Sequence, residues 1–446
     1  MDVLYTHCAG LDVHKKSRTA CRWIPDPTGH CTEGLTEIET FGTMTIELLG
    51  LVDWLTEAGI THVAMESTGE YWHPVYNLLE GHFTVLLVNA AHVKNVPGRK
   101  TDQADARWLA KLLRHGLLQA SFIPPRGQRD VRDLTRYRTK LVQERAREVN
   151  RVQGVLERAN IKRASVVSDV MGVSSRAILA ALVDGRADPA TMAELARGRL
   201  RSKMPLLEQA LSGLVREHHQ QLLAMQLAHI DFLDDQIATL NTTIAERLSA
   251  LPPTETVTVP VAADEPSAGS TPHVDAAVPL TFDQAIILLD TIPGVDRRGA
   301  EMLVAEIGTD MSRFGTAARL AAWAGVTPGN DESAGKRRSG KTRKGNRALR
   351  TGLVQLAHSA THTKATYLAM LFRRLAARRG KQRAIIAVAH SILVSVFYIL
   401  VRHEPYRELG ATHFDRLRHS QSVERLTRRL EQLGYAVHLE PRPAAA

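Results

Sequence analysis

The first 116 residues alternate between short apolar runs and amphipathic segments, and this pattern restricts the fold more than any other feature of the sequence. Runs rich in β-branched and aromatic residues, bounded by Gly, Pro or Asp, predict strands at 3–12, 18–25, 61–66 and 83–89. Helical spacing of apolar residues predicts helices at 43–59, 71–82 and 100–116. The order of these elements predicts an α/β domain with a mixed sheet at residues 1–125.

Helices dominate the prediction beyond residue 125. A long charged helix is expected at 126–163, and residues 205–250 carry an apolar seam with alternating steps of three and four. Such a seam packs either against the preceding long helix or against a second protomer, and the sequence leaves both readings open. The seam residues are Ile230, Leu233, Ile237, Leu240 and Ile244.

One segment interrupts the helical pattern. Residues 252–280 are rich in Pro, Ala, Thr and Val and lack helical periodicity, so we predict a flexible linker. It separates a helical, coiled-coil region at 126–251 from a mainly helical C-terminal domain at 281–405, which a basic polar tail at 406–446 follows. Two or three domains are also expected from length, because 446 residues exceed one compact core.

Composition narrows the class of protein. A hydrophobic content of 44% excludes general disorder, and the net charge of +10 becomes a polyanion footprint where it is clustered. Three cysteines without a CxxC pair, at 8, 21 and 31, indicate a reducing compartment. No secretion signal opens the chain, and the apolar run at 385–401, interrupted by His390, predicts a buried helix. We therefore expect a cytoplasmic protein without a membrane span.

Four carboxylates stand where elements begin or end. Asp12 in GLDVHKKS and Glu66 in MESTGEYW follow strand-like runs, while Asp102 and Asp105 in KTDQADA open a helix on one face. Singly, each acid is explained as a turn residue or a helix cap. Together they would form an oxygen cage suited to Mg²⁺, at the points where ribonuclease-H-like folds place metal ligands. The set therefore indicates chemistry on a phosphodiester, with Lys15 and Lys16 near the phosphates.

A basic stretch in the C-terminal half indicates nucleic-acid binding. From Lys336 to Arg350 there are eight basic residues and no acid, interrupted by Gly340 and Gly345. Such a run is commonly a solvated surface, but its glycines allow the backbone to approach phosphates closely. The candidate phosphate-binding residues are Lys336, Arg337, Arg338, Lys341, Arg343, Lys344 and Arg347.

A serine just before the basic stretch is a candidate nucleophile. Ser333 lies in a predicted loop between Glu332 and Gly335, and neighbouring arginines would supply charge to a transition state. No histidine base adjoins it, so residue chemistry alone leaves Ser339 as a competitor.

A third motif, DTIPGVDRRGAEMLVAEIG at 290–308, resembles a helix-hairpin-helix element. Its Pro-Gly turn would present backbone N–H groups at Gly294 to a phosphate. Asp296 stands where the motif usually has a second glycine, and a purely structural helical hairpin explains the segment equally well.

Taken in order, these motifs resemble the DEDD transposases of the IS110 type, a family of bacterial insertion-sequence recombinases. GLDVHKKS, MESTGEYW and KTDQADA resemble the family's RuvC-like (RNase H-like) N-terminal domain. IPGV, EIG, AAWAGVTPG and ESAGKRRSGKTRKGNRALR resemble its C-terminal transposase domain. The resemblance covers nearly the whole chain.

The resemblance implies roles that residue chemistry leaves open. Asp12, Glu66, Asp102 and Asp105 would bind Mg²⁺, and Ser333 would form a covalent phosphoserine link with DNA. The acids and the serine would form a composite site, in a dimer or tetramer holding donor and target duplexes. A structured guide RNA encoded by the element would supply sequence recognition by base pairing.

Two other functions remain open from the residues alone. A metal-dependent nuclease or resolvase of the Holliday-junction type would use the acids to hydrolyse DNA with water, and Ser333 would be incidental. A non-enzymatic nucleic-acid-binding protein would need the basic stretch but not the acids.

Overall fold

The computed structural model describes residues 3–26, 34–66, 69–88, 102–185, 188–253, 280–329, 331–333, 336–342, 344–417 and 419–438. The chain divides into two compact units, Met1–Ile123 and Pro124–Ala446. The first unit contains a β-sheet with helices, and the second is mainly helical. The expected combination of an α/β part with a helical part is therefore confirmed, while the finer division into four segments and a tail stays a prediction.

Five strands form one mixed sheet in the first unit, in the order β3-β2-β1-β4-β5. Strand β1 pairs antiparallel with β2 and parallel with β4; β2 pairs antiparallel with β3, and β4 parallel with β5. The strands are β1 (Cys8–Val13), β2 (Arg18–Ile24), β3 (Leu35–Phe41), β4 (His62–Glu66) and β5 (Thr84–Val88). The helices of this unit are α1 (Thr45–Glu57), α2 (Trp72–Leu79) and α3 (Asp102–Arg114).

Two strand predictions need correction. The sequence pattern does not predict β3, whose residues LTEIETF are mostly polar and lie exposed at the sheet edge. The first strand starts at Cys8, not at residue 3. The preceding segment has other partners, since the backbone N–H groups of Leu4 and Tyr5 donate to the carbonyl of Arg114 at 2.8 and 3.1 Å. Those bonds tie the chain start to the end of α3.

The two faces of the sheet have different cores. Odd-numbered residues of β1, such as Leu11 and Val13, pack with apolar residues of α1 and α2. Even-numbered residues face the other way, so Cys8 packs with Ala106 and Ala110 of α3. This alternation follows from the two-residue period of a strand. It decides which polar side chains share a face with α3.

The second unit begins with a long helical hairpin. Helix α4 (Arg126–Arg158) packs along α8 (Glu217–Ala250). The predicted seam of α8 is buried at Ile230, Leu233, Ile237 and Ile244, and Leu233 and Ile237 pack with Leu141 of α4. Of the two readings of the seam, the structure shows packing against the preceding long helix. The predicted helical region at 205–250 is interrupted by a turn at 212–216.

Shorter helices connect and follow this hairpin. Between α4 and α8 lie α5 (Val173–Asp184), α6 (Pro189–Glu194) and α7 (Met204–Leu211). After the predicted linker, which lies mostly outside the described residues at 254–279, come α9 (Phe282–Leu289), α10 (Arg297–Ile307) and α11 (Ala317–Trp323). A hairpin of β6 (Asp331–Ser333) and β7 (Lys336–Ser339) precedes α12 (Arg347–His362), α13 (Tyr367–Arg379), α14 (Lys381–Arg402), α15 (His413–Leu417) and α16 (His419–Gln432).

Helix α14 is the apolar run singled out in the sequence. By length and composition alone it is long and apolar enough to cross a membrane, and 56% of its most apolar segment is buried within the protein. Helices α9, α11, α12 and α13 all contact it. The predicted buried helix is therefore present, as the central helix of the C-terminal bundle.

Candidate active site

Asp12 and Glu66 lie at neighbouring strand ends. Strands β1 and β4 run parallel, and their pairing places Leu11 beside Met65. The next residues along each strand are Asp12 and Glu66, which share the face that carries Cys8 because of the strand period. The paired strands of a sheet lie about 4.8 Å apart. The two carboxylates thus start from adjacent backbone positions on the face that α3 covers.

Helix α3 crosses this face in close contact with β1. A Cβ atom added at Gly10 would lie 2.3 Å from the carbonyl oxygen of Ala106 and 2.4 Å from the nitrogen of Ala110. Arg114 at the helix end receives hydrogen bonds from the segment before β1. The helix therefore runs antiparallel to β1, and its first turn lies at the strand end that bears Asp12.

The other two acids occupy that first turn. Ala106 and Leu109 belong to the buried face of α3. Asp102 and Asp105 each lie four residues before one of them, so both positions belong to the same helical face. Asp105 is half-buried, and the side chain of Asp102 lies outside the described part. Strand parity, register and helix direction thus bring the backbone positions of all four predicted acids to one sheet edge.

Asp12 has a partner that the sequence reading did not assign. Its side chain is buried, and its Oδ2 atom lies 3.0 Å from Nε2 of His14, whose side chain is 47% exposed. His14 is two residues further along the chain, which is the spacing that returns a side chain to the same face of an extended strand. The acid is therefore anchored on one side by a solvent-reachable imidazole.

Arg18 holds the two loops that leave the site strands. Its guanidinium donates to the carbonyl oxygens of His14 and of Ser17, the latter at 3.0 Å, and to that of Tyr71 at 3.3 Å. Arg18 is 3% exposed, and burial lowers the pKa of its guanidinium. The turn after Asp12, which presents Lys15 and Lys16 to solvent, is thereby fixed to the segment after Glu66.

By donor type, the acids suit a hard cation. Carboxylate oxygens are the ligands that Mg²⁺ takes in proteins, and Asp12 and Glu66 supply them from one sheet edge. In the part of the chain that the structure describes, no three His, Cys, Asp or Glu side chains come together as a metal-binding group. A complete ligand set would include the carboxylate of Asp102, whose side chain lies outside that part.

Ser333 ends a short strand, which corrects the prediction that it lies in a loop. Strands β6 and β7 pair antiparallel, with Ser333 opposite Lys336 and Asp331 opposite the competing Ser339. Ser333 therefore belongs to the tip of the hairpin and Ser339 to its base. The side chains of both serines, and those of Lys336, Arg337 and Arg338, lie outside the described part, as does Arg343 altogether.

The base of the hairpin is held by backbone contacts. The N–H of Gly329 donates to the carbonyl of Lys341 at 2.9 Å, and Pro328 bridges Thr342. Further along, a Cβ atom at Gly345 would lie 2.4 Å from the nitrogen of Gly325, so only glycine allows this approach. The glycine that the sequence reading attributed to phosphate contact is required by this packing.

Asn346 links the hairpin to a buried carboxylate. Its side-chain oxygen caps α12 by accepting the N–H of Leu349 at 3.0 Å, and its Nδ2 donates to Oε2 of Glu306 at 2.7 Å. Glu306 is fully buried at the end of α10. Its Oε1 also accepts a hydrogen bond from Arg136 at 2.7 Å, and Arg132 lies at 3.4 Å. The last residue before α12 is thus tied to helix α4 through one carboxylate.

Charge balance explains why Glu306 tolerates burial. Burial lowers the pKa of Arg132 to about 10, an effect that the Glu306 carboxylate opposes. Arg132 therefore stays protonated near neutral pH. A neighbouring pair repeats the arrangement, since Arg138 of α4 donates to Oε2 of Glu301 at 2.6 Å and both side chains are 5% exposed. The sequence pattern assigns no role to the glutamate of the EIG motif.

The other predicted nucleic-acid residues have varied surroundings. Lys341, Lys344 and Arg347 are exposed. Gly294 has a φ of 86° in the turn between α9 and α10, and an added Cβ atom would lie 2.3 Å from the nitrogen of Ala360 in α12. That close packing requires glycine for a structural reason, and a phosphate contact at Gly294 stays a prediction.

Comparison with protein families gives two matches. A family model described as a transposase, that of the DEDD transposases of the IS110 type, matches residues 9–161. A model described as the transposase IS116/IS110/IS902 family matches residues 287–371. No curated protein matches the chain. The two matched segments contain the four acids and Ser333, in that order.

Proposed function

Because the chain belongs to the IS110-type DEDD transposase family, we propose that this insertion-sequence transposase excises and inserts DNA through a covalent serine–DNA intermediate. That it acts on DNA follows from the family. The observation that supports the finer proposal is the convergence of Asp12 and Glu66 at one sheet edge, under the first turn of α3. The strand order 3-2-1-4-5 supports an RNase H-like arrangement of the first unit.

The four acids serve to place the DNA. Asp12, Glu66, Asp102 and Asp105 would hold Mg²⁺ through their oxygens, and the bound ion would offset the charge of the phosphate to be attacked. His14 holds Asp12 in one orientation through its Nε2 contact. Lys15 and Lys16, fixed by Arg18 beneath their turn, contact neighbouring phosphates.

Ser333 carries the covalent step. Its Oγ forms a bond to the scissile phosphorus while the bond from that phosphorus to one deoxyribose oxygen breaks. The serine loses its proton and the leaving oxygen takes one up. Attack by the hydroxyl end of a second strand reverses the step, which joins the new strand and restores the serine. Hydrogen-bonding cations of the basic stretch offset the charge that develops on the phosphate.

Further partners follow from the same proposal. A structured guide RNA selects the sites by base pairing, so that the protein reads duplex shape and phosphates. Donor and target duplexes are held by a homodimer or a tetramer in the cytoplasm. Hydrolysis by water and a purely binding role are distinguished by experiment, because neither would leave DNA linked to the protein.

The test is the substitution Ser333→Ala, with Ser339→Ala as the matched control. Labelled donor DNA with the element's own ends is incubated with each protein and Mg²⁺, then resolved on a denaturing gel. We expect a protein-linked DNA band with the wild type and with Ser339→Ala, and no such band with Ser333→Ala.

Asp12→Asn separates the roles of the acids and the serine. We expect this variant to bind DNA yet form the covalent product at least 100-fold more slowly, the order of magnitude of losing one charged group from a reacting centre. If the DNA is cleaved to ends free of protein, and Ser333→Ala cleaves as fast as the wild type, the reaction is hydrolysis and not transposition through Ser333.

A further inference from the structure

A long stretch of the second unit contains no acid. Between Glu332 and Glu404 the sequence has no Asp or Glu, but it has five lysines and eleven arginines. The run therefore continues well past the basic stretch, which ends at Arg350. Seven of the remaining basic residues lie in α13, α14 or the turn between them. They are Arg373, Arg374, Arg378, Arg379, Lys381, Arg383 and Arg402.

Contacts at one end of the bundle fix the helix directions. The N–H of Tyr406, just after α14, donates to Oγ1 of Thr291 at 2.9 Å. The N–H of Tyr367, which begins α13, donates to Oε1 of Glu408 at 2.7 Å. Gly294, three residues after Thr291, packs on Ala360 near the end of α12. The end of α12, the start of α13 and the end of α14 therefore lie together.

The opposite end of the bundle carries the serine hairpin. Helix α12 rises about 24 Å and α14 about 33 Å at 1.5 Å per residue, so their first turns lie far from Thr291. Helix α11 contacts α14, and its Trp323 carbonyl accepts the N–H of Asn346 at 3.1 Å. The turn between α13 and α14 is thus on the side of α12 where the hairpin ends.

The basic side chains at that turn face solvent. Arg378, Arg379, Lys381 and Arg383 are all exposed, and Gly380, with a φ of 83°, joins the two helices in a tight turn. Among the described residues, none of these four forms an ion pair with a carboxylate. Lys344 and Arg347, exposed at the start of α12, extend the same charge.

The two ends of the bundle differ in their acids. The opposite end has Glu404 and Glu408 beside Lys364, Arg402 and Arg407, and Arg407 pairs with Glu404 at 3.1 Å. A charge present merely for solubility would need no such asymmetry. Unpaired cations grouped at one end are the electrostatic footprint of a polyanion.

The geometry points to a DNA-backbone surface at the α13–α14 turn, formed by Arg378, Arg379, Lys381 and Arg383 beside the start of α12. This inference rests on the proposed function, because the reacting strand is placed at Ser333. These residues lie beyond the family-matched segment, which ends at 371. The surface binds duplex phosphates next to the serine hairpin and holds the duplex in register for attack. Duplex DNA is the occupant because DNA is the substrate of the family.

The experiment measures DNA affinity against salt concentration. The double variant Arg379→Gln/Arg383→Gln of the full chain is compared with wild type, using fluorescence anisotropy of a labelled mixed-sequence duplex over a series of NaCl concentrations. Each phosphate contact contributes about 0.9 to the slope of log K against log salt. We expect the slope to fall in magnitude by about 2, with weakening that does not depend on DNA sequence.

A matched control removes the same charge elsewhere. Arg199→Gln/Arg201→Gln also removes two exposed arginines, from the helical segment at 198–203 of the same unit. We expect its salt slope to equal that of the wild type. If Arg379→Gln/Arg383→Gln unfolds, as judged by circular dichroism, Arg378→Gln/Lys381→Gln replaces it with the same expected loss.

Three results would overturn the inference. The salt slope of Arg379→Gln/Arg383→Gln could be unchanged, or the control pair could show an equal loss. The variant could also lose affinity for a labelled structured RNA while its DNA binding stays intact. The Ser333→Ala protein is assayed alongside, and its binding slope should match that of the wild type. If Ser333 is not the nucleophile, the salt dependence of DNA binding still tests the basic surface. If the basic surface does not bind DNA, the covalent assay still tests Ser333.

Discussion

Single residues decide how closely the site elements approach one another. Gly10 lets α3 lie directly on β1, and Gly345 lets the chain pass against the end of α11. The positions of the four acids, at strand ends and at a helix start, are predictable from sequence because local patterns mark these boundaries. His14 was recognisable in principle from its two-residue spacing. The contact made by Gly10 was not, since it depends on a helix almost a hundred residues away.

The substitution Gly10→Ala tests the approach of α3. The added Cβ atom would meet backbone atoms of Ala106 and Ala110 at 2.3 and 2.4 Å, which cannot move without shifting the helix. We expect a loss of about 1–3 kcal/mol in the free energy of unfolding, measured with urea. Covalent DNA product should fall further, because the turn with Asp102 and Asp105 moves with the helix.

Gly50→Ala is the control for that measurement. Gly50 lies in α1 of the same unit, and no atom comes within 4 Å of an added Cβ atom. We expect unchanged or increased stability, by up to about 1 kcal/mol, because alanine favours a helix over glycine. Equal stability of the two variants would show that the contact with Ala106 does not restrain the helix.

Side-chain contacts connect the helical hairpin to the segment that carries Ser333. Asn346 is both the cap of α12 and a donor to Glu306, which Arg132 and Arg136 of α4 hold in turn. The sequence predicts the helices well because their apolar periodicity is local. It did not predict β6 and β7, since three- and four-residue strands made of polar residues carry no periodic signal.

Asn346→Ser tests this connection. Serine caps a helix as well as asparagine does but cannot reach Glu306 from the same position. We expect a loss of about 1.5–3 kcal/mol in the free energy of unfolding, the range for a hydrogen bond to a charged group. The rate of covalent product should fall by more than the affinity for DNA, because the hairpin with Ser333 shifts while the basic α13–α14 turn stays in place.

Thr316→Ser serves as the comparison for the capping change. Thr316 caps α11 by accepting the N–H of Arg319 at 3.2 Å, and serine preserves that bond. Its product rate and stability should remain close to those of the wild type. Equal effects of Thr316→Ser and Asn346→Ser would assign the loss to capping and not to Glu306.

At the scale of the molecule, the helical hairpin and the C-terminal helices form one compact unit. In the sequence, a predicted flexible linker lies between them. Even so, Arg138 and Glu301 are paired and buried, and Gln128 donates to the carbonyl oxygens of Val304 and Ala305 at 3.2 and 3.0 Å. Contacts between segments more than 160 residues apart carry no local signal in a single sequence, so this docking was beyond prediction.

Cleavage of the chain tests the docking. A specific protease site is inserted within 254–279 and cut in the folded protein. We expect the two fragments to elute together in size-exclusion chromatography, because the contacts between α4 and α10 do not depend on the connection. Glu301→Ala/Glu306→Ala should release them, since unpaired buried arginines cost about 3–5 kcal/mol for each broken pair. If the two fragments separate after cleavage even without these substitutions, the covalent connection is what holds the unit together.

The burial of α14 has a consequence for synthesis of the chain on the ribosome. With a mean hydropathy of 2.5 in its most apolar segment, this helix resembles a membrane anchor until it is covered. Its covering helices, α9 and α11 to α13, all precede it in the sequence. They leave the ribosome first, so the residues that cover α14 have been synthesised before it emerges. We therefore expect the order of the elements to shorten the time for which this apolar helix is exposed.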